Sequence, residues 1–327
     1  MLYLFTKNIE KVRALYADVL DIAGIKYKVI DPFKSEITLW NETVKIDNVE
    51  ILHEDIIYNF DIISEFPFTP DVTIDSDYRF FQDSYVSQQQ IKSHVYSTLS
   101  ILSRTNLIIN DFDSDRKIYN RISVLEELVR IGLKTTDYIM TNSLNEVIDY
   151  FQNTLLWSYT ELKSPIKKIT KDILPELLTK DNFVPYMFYE DIKGKNIRVW
   201  IINRKPALAA FYDEPELKGH DLKLEKYEYI VDLDFFNLEA ESIANQFGLY
   251  FMEIYGKIDS SGNFIAFGID NHPDISTLGK EGKEYLSRKL ISEVFNLNLP
   301  VNLPKPDSRN TVFLKKMLEP LFERKPD

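Results

Sequence analysis

Val184-Pro-Tyr-Met-Phe-Tyr-Glu190-Asp-Ile192-Lys-Gly194-Lys-Asn-Ile-Arg198-Val199 sets two runs of strand-forming residues on either side of Lys193-Gly194-Lys195. β-branched and aromatic side chains favour the pleated strand, and a glycine between charged residues favours a turn. Residues 184–189 and 196–202 are therefore expected as strands split by that turn. With a third strand over 207–212 they form an antiparallel meander.

Downstream of the meander, a helix is expected over 238–247, capped by Asn237 and stopped by Gly248. Strands over 249–257 and 263–269 follow, joined at Ser260-Ser261-Gly262. Helices over 278–295 and 309–323 flank a linker containing Pro300, Pro304 and Pro306. Upstream, a helix over 117–131 ends at Gly132 and a strand covers 138–141. Ser143-Leu-Asn-Glu146 is a capping box, its hydroxyl and carboxylate placed to satisfy the free N–H groups of a helix running to about residue 152. A strand over 154–159 precedes the lysine-rich stretch 160–182, which has helical character around 173–178.

The first hundred residues open with a βαβ unit: a strand over 2–5, a helix capped by Asn8 and stopped by Gly24, and a strand over 26–30. Short β-rich pieces such as Val44-Lys-Ile fill residues 40–66. A helical pattern returns at 85–104 (Val86, Ile91, Val95, Leu99, Leu102), followed by the strand Leu107-Ile-Ile. The polar run 110–115 is expected to be a connection. The divisions expected are an N-terminal α/β domain over 1–110, a central unit over 111–190 and a C-terminal unit over 191–327.

Composition removes whole classes of chemistry. With no cysteine and only four scattered histidines (His53, His94, His220, His272), neither disulfides, thiolate catalysis nor a zinc site of Cys/His spacing is expected. The ten glycines leave no Walker A loop and no Rossmann fingerprint. A net charge of −12 disfavours nucleic acid and anionic lipid. Hydrophobic residues make up 44%, without a run long enough to span a bilayer, so no membrane association is expected. Met1-Leu-Tyr-Leu-Phe-Thr-Lys-Asn reads as a strand rather than a signal peptide, and the expected location is cytoplasmic.

The order of elements and four local motifs resemble the ATP-grasp superfamily. Residues 119–141 are similar to its "Asn/Asp-Lys … Gly-Leu/Ile-x-x-Pro-x-Thr" helix and strand, with Arg121 in place of the lysine. Residues 184–199 resemble "Pro-x-x-x-Gln-Glu-x-Ile-x-Gly-x-x-x-Arg-Val", the hinge over adenine and the strand bearing a phosphate-facing arginine. Ile243-Ala-Asn-Gln-Phe-Gly-Leu249 with the hairpin at Gly262 resembles the unit that carries an aspartate metal ligand. Asn271-His-Pro273 resembles the closing "Glu-x-Asn-x-x-Pro". Within the superfamily, the segment 154–190 is most similar to peptide-modifying members, the graspetide synthetases and the grasp-with-SPASM maturases.

The resemblance implies an α/β (α+β) ATP-grasp fold with an N-terminal pre-ATP-grasp domain, and ATP and Mg2+ as cofactors. It implies phosphorylation of an acidic side chain of a ribosomal precursor peptide, then attack on the acyl phosphate by an amine or hydroxyl of the same peptide. The partner is a precursor peptide or a partner protein, and the assembly a homodimer. Carried onto this sequence, Arg198 is the catalytic candidate. Arg121, Glu190, Ile192 and Ser158 are the nucleotide-binding candidates, Ser158 standing where a second lysine is expected. Counting from Gly248 and back from Asn271 puts Tyr255 and Ile269 where the acidic metal ligands belong. Glu253, Asp270 and Asn271 are then the metal candidates.

The residues also have plainer readings: a cross-strand ion pair for Arg198, a solvated helix residue for Arg121, a rim carboxylate for Glu190. The replaced ligands support a second reading, a catalytically degenerate ATP-grasp protein that binds a peptide or protein. Lys163, Lys167, Lys168 and Lys171 read as a solvated face or an anion-binding group.

Overall fold

The computed structural model describes residues 1–60, 78–111, 114, 117–118, 121–150, 156–158, 167–169, 186–190, 192–212, 227–230 and 233–300. The helices expected at 173–178 and 309–323 lie outside these residues. Among the described residues, no helix is long and apolar enough to cross a membrane.

Strand β1 (Leu2–Phe5) leads into helix α1 (Ile9–Ile22) and strand β2 (Tyr27–Ile30). Asn8 starts the helix by accepting from the Lys11 N–H at 3.0 Å, and Gly24 ends it at φ +67°. Strands β3 (Ile37–Trp40), β4 (Thr43–Ile46) and β5 (Val49–Glu50) form a small antiparallel sheet of their own. Strand β6 (Ile56–Asn59), helix α2 (Tyr78–Leu102) and strand β7 (Leu107–Ile109) complete a parallel sheet of order β2-β1-β6-β7. Helix α2 starts earlier than expected. It buries Val95, Leu99 and Leu102, while Val86 and Ile91 lie in solvent, so the apolar stripe meets a core over its C-terminal half only.

Helix α3 (Arg121–Arg130), strands β8 (Lys134–Thr135) and β9 (Tyr138–Thr141), and helix α4 (Leu144–Tyr150) follow. The capping box is present, with Ser143 Oγ accepting from the Glu146 N–H at 3.5 Å. Strands β10 (Leu156–Ser158), β11 (Lys167–Ile169) and β12 (Tyr186–Glu190) join β9 in an antiparallel sheet of order β11-β10-β12-β9. Lys167 and Lys168, in the lysine-rich stretch 160–182, thus lie in a strand.

Strands β13 (Gly194–Ile202), β14 (Lys205–Tyr212) and β15 (Tyr227–Ile230), helix α5 (Asn237–Phe247), strands β16 (Phe251–Asp259) and β17 (Phe264–Asp270), and helix α6 (Lys280–Phe295) complete the described chain. The largest sheet runs β15-β14-β13-β16-β17-β8. The expected meander is corrected here: β13 and β14 pair, but β12 and β13 belong to different sheets. Gly194 is the first residue of β13 rather than the centre of a turn. A Cβ there would come within 2.2 Å of the Ile258 carbonyl oxygen, so glycine is what lets β13 close onto β16. Asn237 is likewise the first helical residue and not the cap.

The six-stranded sheet is buried on both faces, as the alternation along β13 requires. Ile197, Val199 and Ile201 pack with α3 and α5. Trp200 and Ile202, with Leu208, Ala210 and Phe251, pack against α1, α6 and the Leu2/Leu4 side of the parallel sheet. Asn110, expected in a connecting run, is instead buried at 1% exposure. Its side chain accepts from the Tyr250 and Phe251 N–H groups at 3.0 Å each and donates to the Phe251 and Asn271 carbonyls.

Candidate functional site

Strand register assembles the site. Across β13, β16 and β17, Arg198 stands opposite Tyr255 and Tyr255 opposite Gly268; one step along, Trp200 faces Glu253 and Glu253 faces Asp270. Because side chains alternate, Arg198, Tyr255, Glu253, Gly268 and Asp270 share one face of the sheet.

Arg198 Nε lies 3.3 Å from Glu253 Oε1, with the Glu253 side chain 5% exposed. This is the cross-strand ion pair among the readings of Arg198. The guanidinium also lies over the Tyr212 ring, 4.9 Å from its centre. Burial, opposed by Arg198 and reinforced by the Asp270 charge, pushes the Glu253 carboxyl up to about 7. For Arg198, burial opposes the charge, but Glu253 and Tyr212 outweigh it and hold the guanidinium above its ordinary value.

Arg121 is not a solvated helix residue. It reaches from α3 to donate through Nη2 to the Tyr255 hydroxyl at 3.1 Å, and its guanidinium carbon lies 5.9 Å from the centre of the Tyr189 ring. Tyr189 belongs to β12 and Tyr255 to β16, so Arg121 bridges two sheets. Sequence reasoning missed Tyr189 and Asn110 here. An aromatic residue adjoining Glu190 and an asparagine ending a β-strand were the available signals.

Glu190 is half-buried, and its main chain is engaged: its N–H donates to the Asp137 carbonyl at 3.0 Å and its carbonyl accepts from Thr136 Oγ1 at 3.2 Å. The Ile192 carbonyl accepts from the buried Lys257 ammonium at 3.0 Å. Ser158 ends β10 opposite Phe188.

The register also decides which residues near the last motif face the site. Ile269 pairs with Ile254 and is packed in the apolar core, facing away from Glu253 and Asp270. Gly268 and Asp270 are the residues of β17 that face Tyr255 and Glu253. A Cβ on Gly268 would sit 2.5 Å from the Tyr255 hydroxyl oxygen, so the tyrosine fills the space of a side chain at that position. Asn271 follows the strand, with its carbonyl held by Asn110, and Asp270 Oδ1 accepts from the His272 N–H at 2.9 Å.

These residues do not fit a magnesium ion. Glu253 and Asp270 are brought together, but Glu253 is buried, protonated through part of the neutral range and already paired to Arg198. Hard cations need several open oxygen ligands. Among the described residues, no group of three His, Cys, Asp or Glu is placed to hold a metal.

Gly268→Ala is expected to cost about 1 kcal/mol through displacement of the Tyr255 ring. In a Tyr255→Ala background the same substitution should cost nearly nothing, and urea denaturation of the four proteins of this double-mutant cycle measures the coupling. Additive costs would show that the two positions do not share space.

No family sequence model matches the chain, and none of the curated proteins shows significant sequence similarity to it. Solved structures do match in fold. The ATP-grasp ligase PsnB complexed with a minimal precursor superposes with a TM-score of 0.71 at 15% identity, covering 89% of this chain and 98% of that one. PsnB has also been seen with minimal precursor, Mg and ADP. The macrocyclase MdnC of Microcystis aeruginosa, bound with precursor peptide MdnA, gives a TM-score of 0.67 at 14% identity over 90% of this chain and all (100%) of that one. The RiPP-associated ATP-grasp ligase of Chryseobacterium gregarium, in complex with ADP and a leader and core peptide, gives 0.62 at 12% identity, covering 90% of this chain and 96% of that one. Identities this low speak for architecture alone: the likeness extends over nearly the whole length of the matched chains, and the fold of this chain is the ATP-grasp fold.

Proposed function

We propose that this chain binds a ribosomally made precursor peptide on an ATP-grasp scaffold, and that it serves peptide maturation as a recognition protein and not as a magnesium-dependent ligase. The observation that carries the second half is Tyr255 lying over Gly268, on the face where acidic ligands would be needed. The first half is supported by the structural likeness to PsnB, MdnC and the Chryseobacterium ligase, each seen with precursor peptide. One observation favours the ligase reading: the register sets Glu253 directly across from Asp270.

A single preparation of the full chain separates the two. Peptides selected from a displayed library of acidic core sequences are titrated by fluorescence anisotropy, then incubated with ATP and Mg2+ and weighed by mass spectrometry. Saturable binding without loss of water from the peptide is expected. Dehydrated peptide appearing with ADP would establish the ligase reading, and no binding to any selected peptide would remove the recognition role.

A further inference from the structure

Helix α2 is longer than the core it serves. Its 25 residues span about 37 Å at 1.5 Å each. Among the described residues, its buried side chains, Val95, Thr98, Leu99 and Leu102, all come from the C-terminal end. Ile91 continues that stripe one turn earlier yet is 44% exposed, and Val86 is 52% exposed. Single exposed apolar side chains are ordinary on a protein surface. The lack of charge around these is not. Val86, Gln90, Ser93 and Ser97, spaced four, three and four residues apart, form one exposed stripe of the helix. None of them is ionisable, in a chain of which 28% is charged. From Ser84 to Leu102 the charged residue is Lys92 alone, and it does not belong to this series.

The other helices look different from outside. Helices α1, α3 and α6 carry the ion pairs Glu10–Arg13, Glu127–Arg130 and Glu284–Arg288, whereas α2 carries none among the described residues. Beside α2, His94 Nε2 donates to the Ile37 carbonyl at 3.1 Å and ties the helix to β3, an edge strand. That strand ends at Trp40, which is 74% exposed.

A surface of amide, hydroxyl and apolar groups suits a copy of itself. Across a two-fold axis the same patch meets the same patch, so a charge there would meet its own sign. A glutamine amide or a serine hydroxyl is donor and acceptor at once and can pair with its twin. Net charge sharpens the point. At −12, two copies repel, and approach is least opposed where the surface is neutral.

We propose that the exposed stripe of α2, from Val86 to Ser97, is the surface through which two copies of this chain associate about a two-fold axis, with Trp40 at its margin. A homodimer is implied by the resemblance; the surface that makes it is not.

Sedimentation velocity of the full chain from roughly 1 to 100 μM tests this. A monomer–dimer equilibrium is expected, tighter in ~0.5 M than in ~0.05 M NaCl, because salt screens the repulsion of two acidic chains and a neutral contact has no ion pairs to lose. Gln90→Glu and Gln90→Lys each bring like charges together across the axis and should each weaken the dimer by about tenfold or more. Mixed in equal amounts, they set opposite charges together and should recover a dimer containing one chain of each. Position 90 is exposed, and Gln, Glu and Lys have nearly equal helix propensity, so all three chains should give the same circular dichroism. A monomer at every concentration, a dimer loosened by salt, a dimer that both charged variants leave intact, or a mixture no more dimeric than either variant alone would each overturn the proposal. No peptide enters these measurements, so this proposal and the recognition role fall separately.

Discussion

Asn110→Leu should lower the unfolding free energy by roughly 4 kcal/mol, the largest loss expected from a single side chain outside the apolar core. Asn110 accepts from the Tyr250 and Phe251 N–H groups and donates to the Phe251 and Asn271 carbonyls, all from a 1% exposed position. Leucine would leave these groups buried and unpaired, at about 1–3 kcal/mol for each that water cannot reach. It would also have to adopt φ +56°, a left-handed conformation that asparagine tolerates and leucine does not. Asn110→Gly isolates the second effect: it removes the same bonds but accepts the backbone, and should recover about 1 kcal/mol. Urea denaturation reads both as a fall in midpoint at constant slope. A loss under about 1 kcal/mol for Asn110→Leu would mean that this side chain does not hold the strands together.

That clamp has a consequence for the site. Phe251 opens the strand that carries Glu253 and Tyr255, and Asn271 follows directly on the strand that carries Gly268 and Asp270. By holding both, Asn110 fixes the ends of the two strands whose register decides which side chains face each other. Partial variants such as Asn110→Asp should therefore disturb the Arg198–Glu253 pair as well as stability.

The sequence revealed the elements better than their partners. Asn8, Gly24, Gly132 and Gly248 mark helix ends because caps and left-handed stops are local chemistry, and all four act as expected. The pairing of β12 was misread because a glycine between two strand-like runs looks the same whether the chain turns or crosses to another sheet. Only the approach of β13 to Ile258 explains Gly194, and that contact joins residues far apart in sequence. The site shows the same division. Arg121, Arg198 and Glu253 were legible as charged residues in suggestive places, but the ion pair of Arg198 depends on cross-strand register. Ile269 stands where the resemblance puts an acidic ligand, but counting along a sequence cannot see which residue of a strand faces the core. Ile269 declares itself only once Ile254 stands opposite.

Glu253 should make stability fall as pH rises through neutrality, against the usual behaviour of carboxylates. Desolvation, which Arg198 only partly offsets and the Asp270 charge reinforces, holds its carboxyl up at about 7. In the unfolded chain the same group titrates near ~4.3. Between those values the folded protein holds a proton that the unfolded chain has released, so the stabilisation is complete at low pH and is lost as pH climbs through about 7. The loss is on the order of 3 kcal/mol. Glu253→Gln, which imitates the protonated form permanently, should flatten this part of the profile in denaturation series taken from pH 5 to 8. Arg198→Met should move the fall to higher pH, because the charged carboxylate then lacks its only paired cation among the described residues. An unchanged slope in Glu253→Gln would assign the pH dependence to other groups. The same titration bears on metal binding. A cation recruited by Glu253 must displace both a proton and Arg198 near neutral pH.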